Sequence, residues 1–87
     1  MKLHILSVKD NAAQTFGLPF YSQSTGAAIR NFVDEVNRPA EDNQLYKHPD
    51  DFDLYTVGTF DDATCEFNLL AFPKVLTRGK DVVIPKE

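Results

Sequence analysis

The chain has 87 residues, of which 43% are hydrophobic and 25% charged, and its formal net charge is −4 at pH 7. This composition is typical of one small folded domain, residues 1–87, and excludes a disordered or fibrous chain. A single cysteine excludes an internal disulfide framework, and one thiol with two imidazoles supplies too few ligands for a structural zinc ion, so we expect neither a metal nor a cofactor.

The first predicted element is a β-strand over residues 2–8. Leu3 and Ile5 would lie on one face of this strand, and Leu6 and Val8 on the other, so both faces need cover. The apolar run is too short for a signal peptide or for a membrane span of about 20 residues. The sequence therefore predicts a cytosolic protein without a membrane segment.

A single amphipathic helix is predicted over residues 25–37. The segment before it, residues 12–23, contains a glycine and a proline and is expected to be extended and irregular. Pro39 follows the helix and favours its end near that point. Candidate caps precede the helix and apolar side chains recur within it at helical spacing; the caps are Ser22, Ser24 and Thr25, and the apolar residues are Ala28, Ile29, Phe32, Val33 and Val36.

A polar surface loop is predicted over residues 39–51, followed by a β-hairpin with strands at residues 52–60 and 64–70. The alternation in the second strand places Cys65 and Phe67 on its apolar face. Cys65 is therefore expected to be a buried structural thiol rather than a nucleophile. Phe32, Phe52, Phe60 and Phe67 are expected to be packed in the core.

The last ~15 residues are predicted to be an extended or loosely packed tail of the same domain. Apolar residues at 75–76 and 82–84 flank the polar residues 77–80. This pattern fits either a short helical turn or a second, loose hairpin, and the sequence does not decide between them.

These elements predict an α+β fold, with an antiparallel sheet of about three strands and one amphipathic helix packed on one face. One helix covers only one face of such a sheet. A chain this short also buries little surface, and it has no disulfide or metal to add stability. We therefore expect a homo-oligomer that covers the second face.

No arrangement of residues in the sequence favours catalysis. His48 lies before a proline in a polar loop, and nothing in the local sequence links it to Cys65. Neither a Walker loop nor a dinucleotide-binding glycine motif is present. The acidic pairs at 50–51 and 61–62 lack the spacing of a calcium loop and are typical of turns. The sequence therefore predicts a protein that is not an enzyme.

The charges are unevenly distributed along the chain. Residues 34–66 contain ten acids and two bases, whereas both ends are mildly basic. The overall charge argues against strong non-specific binding to phosphate backbones, so any nucleic-acid binding must come from a local patch. The candidate nucleic-acid-binding residues are Arg30, Tyr55, Lys74, Arg78 and Lys80. Replacing Arg78 and Lys80 with glutamine is expected to leave the fold intact.

Two stretches, STGAAIRNFVDEVN at residues 24–37 and KHPDDFDLYTVGTFDD at residues 47–62, resemble the small nonstructural protein of gokushoviruses. These are single-stranded DNA phages of the microvirus family, and the resemblance covers roughly residues 1–70. It implies a role in single-stranded DNA synthesis or packaging in the host cell cytoplasm, and it brings no catalytic residues. In this sequence Ala63 follows the acidic pair, where the family pattern has glycine.

Two functions remain open at this point. The first is an oligomer that binds single-stranded DNA, which the resemblance favours. The second is an acidic adaptor or assembly factor, whose acidic residues 41–53 bind a basic replication or capsid protein, which the low isoelectric point favours.

Overall fold

The computed structural model describes residues 1–85 and forms an α+β fold, as predicted. Its antiparallel sheet has the strand order β2-β1-β4-β5, and β3 also pairs with β1. The strands are β1 (Lys2–Asp10), β2 (Thr15–Phe16), β3 (Phe20–Ser22), β4 (Phe52–Asp61) and β5 (Glu66–Arg78). The helices are α1 (Thr25–Val36), α2 (Gln44–Lys47) and α3 (Gly79–Val82), with a 3₁₀ turn at Pro49–Asp51.

The sheet has five strands rather than the predicted three, because the irregular segment supplies two short ones. β2 and β3 pair in succession along one edge of β1. Gly17 and Pro19 lie between them, and the amide of Gly17 donates to the carbonyl of Val8 at 2.8 Å. A proline is tolerated there because it falls between the two short ladders and not inside either.

The predicted helix is confirmed to within one residue at its C-terminal end. Of the three candidate caps, Ser24 is the N-cap, and its hydroxyl oxygen accepts from the amide of Ala27 at 3.0 Å. Phe32 and Val36 lie on the buried side of α1. They pack with Leu6 and Leu54, which are fully buried, and so α1 covers one face of the sheet.

The predicted loop at residues 39–51 contains a short helix and a 3₁₀ turn. Asn43, 4% exposed, holds this segment against the end of α1. Its Nδ2 donates to the carbonyls of Glu35 and Arg38, and its Oδ1 accepts from the amide of Leu45. Arg38 also donates to the Glu35 carboxylate at 2.7 Å, which lowers the pKa of Glu35. The two bonds from Asn43 Nδ2 thus satisfy one carbonyl in the last turn of α1 and one just beyond its end.

After Pro73 the chain continues β5 to Arg78 and then forms the helical turn α3; within residues 1–85 no second hairpin follows it. Leu76 and Val82 are partly buried against the core. The side chain of Asn37 donates to the carbonyl of Val82 at 3.0 Å and accepts from the amide of Ile84 at 2.8 Å. Residues 86 and 87, the end of the predicted tail, lie outside the described residues.

The hairpin forms where it was predicted, but its turn is longer, which changes the position of Cys65. The turn occupies residues 62–65, and Cys65 is exposed, with φ +62°. Its amide donates to the carbonyl of Asp61 at 2.7 Å. Because Cys65 ends the turn instead of lying in the strand, the prediction of a buried thiol is wrong. Phe67, expected in the core, is 55% exposed.

A large irregularity interrupts the hairpin. Thr56 pairs with Lys74, but Gly58 pairs with Leu69, so the single residue Val57 stands opposite residues 70–73. We call these four residues the 70–73 bulge. Bulges bend a strand and redirect its side chains. Here the bulge leaves Phe72 81% exposed.

Candidate nucleic-acid interface

The face of the sheet that α1 does not cover carries a set of aromatic residues. Side chains alternate along β1, so Leu3, Ile5, Ser7 and Lys9 point away from the helix, opposite to Leu6. Cross-strand partners lie on the same face. We call this side of the sheet the open face. The pairing of β1 with β2, β3 and β4, and of β4 with β5, places further residues on it: Phe16, Tyr21, Asp53, Tyr55, Phe60, Phe67, Leu69, Val75 and Arg78.

Three aromatic rings form a row across the distal half of the open face, near the hairpin turn. The Tyr21 and Phe60 ring centroids are 6.0 Å apart, and those of Phe60 and Phe67 are 4.7 Å apart. Tyr21 is 49% exposed and Phe67 55%. The row therefore presents ring surface to solvent along a line from β3 to β5.

A second pair of rings lies in the half nearer the core. Phe16 meets Tyr55 edge to face, with 5.2 Å between the centroids. The Nζ of Lys9 lies 5.5 Å from the Phe16 centroid, within the range of a cation–π contact. Phe16 is 46% exposed. This half of the face therefore combines an accessible ring with a positive charge.

Arg78 brings a second positive charge to the open face, where it pairs with a buried acid. Its NH1 donates to Asp53 Oδ2 at 3.0 Å, and Asn11 Nδ2 donates to the same oxygen at 2.9 Å. The side chain of Asp53 is 4% exposed and that of Arg78 is 47% exposed. The carboxylate is thus neutralised and hydrogen-bonded, while part of the guanidinium remains accessible.

This pair corrects the expectation that Arg78 can be replaced without effect on the fold. We expect Arg78→Gln to lower the free energy of unfolding by about 1–3 kcal/mol, because a buried carboxylate loses its charged donor. Urea denaturation measures the difference. Arg30→Gln removes the same charge from an exposed position on α1 and should change the stability little. Equal stability of the two variants would contradict the structural role of Arg78.

The structure places the five predicted residues on different surfaces. Tyr55 and Arg78 share the open face. Lys74 pairs with Thr56 and therefore points to the opposite face. Arg30 is exposed on α1, and Lys80 is exposed on α3. The predicted basic patch at residues 74–80 is therefore divided between two faces of the sheet and a helical turn.

The acidic residues lie mostly away from the open face. Among the acids in the described strands, Asp53 alone shares this face, since Asp10, Asp61 and Glu66 occupy the opposite register. In residues 1–85 no group of three or more His, Cys, Asp or Glu side chains is arranged to hold a metal ion. None of the helices described is long and apolar enough to cross a membrane.

Sequence reasoning missed most of the open face. Lys9, Phe16, Tyr21 and Phe67 were not among the predicted binding residues. The sequence of β1 did indicate a second sheet face, because Leu3, Ile5, Ser7 and Lys9 alternate with the residues that face the core. The pairing partners of β1 were not evident, because Phe16 and Tyr21 belong to strands of two and three residues.

Comparisons with known proteins point to a single phage family. The family described as "Phage ORF5 protein" matches residues 3–82. Protein ORF5 of Chlamydia phage 1, a gokushovirus of the Microviridae, is 36% identical over 63 residues. That match covers 70% of this chain and 66% of the relative's own length. No solved structure matches the chain. The resemblance found in the sequence is confirmed.

Proposed function

The chain belongs to the phage ORF5 protein family, and on that premise we propose that it is a nonstructural accessory protein that binds single-stranded DNA as an oligomer. It would act in the host cell cytoplasm, during genome synthesis or packaging, without a catalytic step. The observation that carries the proposal is the open face, where accessible aromatic rings stand beside Lys9 and Arg78.

The chemistry of single strands fits such a surface. Unpaired bases stack on exposed aromatic side chains with about 1–3 kcal/mol per base, and the stacking tolerates any sequence. Phe16, Tyr21 and Phe67 each expose about half of their surface. They lie on a sheet, which holds them at fixed spacing. The face would therefore accept successive bases without reading their identity.

The charge distribution limits the strength of binding. Two cations on the open face can contact phosphates, and the net charge of −4 opposes contacts elsewhere. For single strands, each phosphate contact contributes about −0.7 to the slope of log affinity against log salt. We therefore expect weak binding per subunit with a slope of about −1 to −2, which oligomerisation would increase.

The proposal is tested by fluorescence anisotropy with a labelled oligothymidine at two salt concentrations. Phe16→Ala should weaken binding by about fivefold or more, since a stacking ring is removed. Lys9→Gln should reduce the salt slope by about 0.7. Arg30→Gln is the matched control: it removes the same charge from the helix, off the open face, and should leave the affinity and the slope nearly unchanged.

Two outcomes would contradict DNA binding through this face. One is the absence of any binding by the parent protein at low salt. The other is a loss of affinity in Arg30→Gln as large as that in Lys9→Gln, which would indicate diffuse attraction and not a defined surface.

A second candidate function rests on the segment at residues 39–51. Asn43 fixes this segment, while Glu41, Asp42 and Asp50 remain exposed on it. A structured acidic surface suits an adaptor for a basic replication or capsid protein. If the parent protein does not bind single-stranded DNA, the adaptor becomes the better proposal, and Asp42→Asn with Asp50→Asn should then weaken the complex with that partner.

A further inference from the structure

A half-open cavity of about 170 Å³ lies beside α1. Phe20 belongs to its wall and pairs with Leu6, which packs against α1, so the cavity lies on the opposite side of the sheet from the open face. The apolar part of its lining comes from four elements: Val8 in β1, Phe20 in β3, Ala28 and Phe32 in α1, and Leu45 in α2.

The volume of this cavity limits what it can hold. Sites for drug-sized ligands and cofactors measure roughly 300–1,000 Å³. An apolar cavity of about 150 Å³ stays dry and binds a single benzene molecule. The cavity beside α1 therefore has room for one apolar group, such as a leucine side chain, and is too small for a cofactor.

Acidic residues surround the cavity. Glu35 of α1 lines it together with Asn31, and Asp34 is exposed three positions after Asn31, which makes the two neighbours on the helix surface. Glu41 and Asp42 are exposed just before α2, the helix that supplies Leu45. The apolar cavity thus has acids on both of the helices that border it.

The basic residues nearby do not offset these acids. Residues 31–47 contain four acids and two bases, Arg38 and Lys47. The hydrogen bond to Glu35 and the charges of Glu35 and Asp42 raise the pKa of Arg38, so this guanidinium is already shared between two carboxylates. Arg30 lies two positions from both Ala28 and Phe32, which places it on the other side of α1. The surroundings of the cavity are therefore negative.

We infer that this cavity binds one apolar side chain, of about the size of leucine, from a partner protein in which basic residues flank that side chain. The volume selects a single side chain, and the surrounding acids select flanking lysine or arginine. Because the cavity and the open face lie on opposite sides of the sheet, the inference does not rest on DNA binding. It gives the acidic surface at residues 39–51 an apolar anchor point.

Peptide titration followed by amide chemical shifts in NMR spectra of the isotope-labelled protein tests the inference. The capped peptide KKLKK should bind with a dissociation constant of about 1 mM and shift the amides of Ala28, Phe32 and Leu45. KKAKK has the same charge and should bind at least tenfold more weakly, because it cannot fill the cavity. EELEE carries the same leucine between acids and should not bind.

Each peptide result that departs from this order overturns the inference. Equal affinity of KKLKK and KKAKK would show attraction by charge alone, which would leave the adaptor function possible without a pocket. Equal affinity of KKLKK and EELEE would show an apolar cavity that does not select a basic partner. The absence of shifts at Ala28, Phe32 and Leu45 would place any binding elsewhere.

Variants of the protein locate the two parts of the site. Ala28→Leu places a larger side chain in the cavity wall and should weaken KKLKK binding at least tenfold, with circular dichroism confirming the fold. Asp34→Asn should weaken it by about two- to threefold at low salt. Glu66→Gln is the matched control, since it removes the same charge from an exposed position near the hairpin turn.

The charge variants decide the inference even where Ala28→Leu does not fold. Equal weakening by Asp34→Asn and Glu66→Gln would show that the peptide responds only to net charge. A folded Ala28→Leu variant that binds KKLKK as tightly as the parent would show that the leucine does not enter this cavity. Either result would overturn the inference, and neither depends on whether the open face binds DNA.

Discussion

Phe32→Ala should lower the free energy of unfolding by about 3–5 kcal/mol, which is a large part of the total stability of a domain of this size. Phe32 is 4% exposed and packs with Leu6, Leu54 and Val36 at the centre of the core. Partly buried side chains such as Val8, Ile29 and Leu76 already pack against this core, so they could fill the cavity only in part. We expect the variant to be mostly unfolded, as measured by urea denaturation followed by circular dichroism.

Two control variants separate the loss of core packing from a general loss of apolar surface. Phe32→Leu keeps most of the volume and should cost far less than the alanine substitution. Leu18→Ala removes an apolar side chain that is 91% exposed and should change the stability little. A Phe32→Ala variant with nearly the parent melting temperature would show that α1 does not form the core with the sheet.

Gly58→Ala is the second substitution with a large expected effect. A Cβ at this position would lie 2.8 Å from the Cα of Leu69 and closer still to the carbonyl oxygen of Asn68. Both obstacles are backbone atoms of β5, so no side chain can rotate away. We expect a loss of about 3 kcal/mol or more in thermal or urea unfolding, because β5 must move away from β4 beside the 70–73 bulge.

Gly26→Ala provides the matched control within the same chain. Gly26 lies in the first turn of α1, and a Cβ there meets no atom within 4 Å. Alanine favours the helix over glycine by up to about 1 kcal/mol, so this variant should be as stable as the parent or slightly more stable. Similar melting temperatures for the two alanine variants would contradict the close approach of β4 and β5 at Gly58.

The candidate nucleic-acid interface was predicted less completely than the fold. Tyr55 and Arg78 were predicted and share the open face, while Lys74 and Lys80, their neighbours in sequence, do not. The prediction rested on the density of basic residues along the chain. Side-chain alternation in β5 and the helical turn α3 direct consecutive residues to different surfaces. The number of basic residues in a stretch of sequence does not show which surface each one occupies.

The sequence by itself determined the local elements of this protein: the helix, predicted over residues 25–37, the first strand and the hairpin. Apolar residues recur every 3.6 positions in the helix and every second position in the strands, and Ser24 caps the helix. These patterns involve residues close in sequence, and burial of the apolar side of each element stabilises the same structure. Only the tertiary structure decided the pairing of Phe16 and Tyr21 with β1, the ion pair of Arg78 with Asp53, and the 70–73 bulge. Each depends on residues distant in sequence, whose register is set by packing across the sheet.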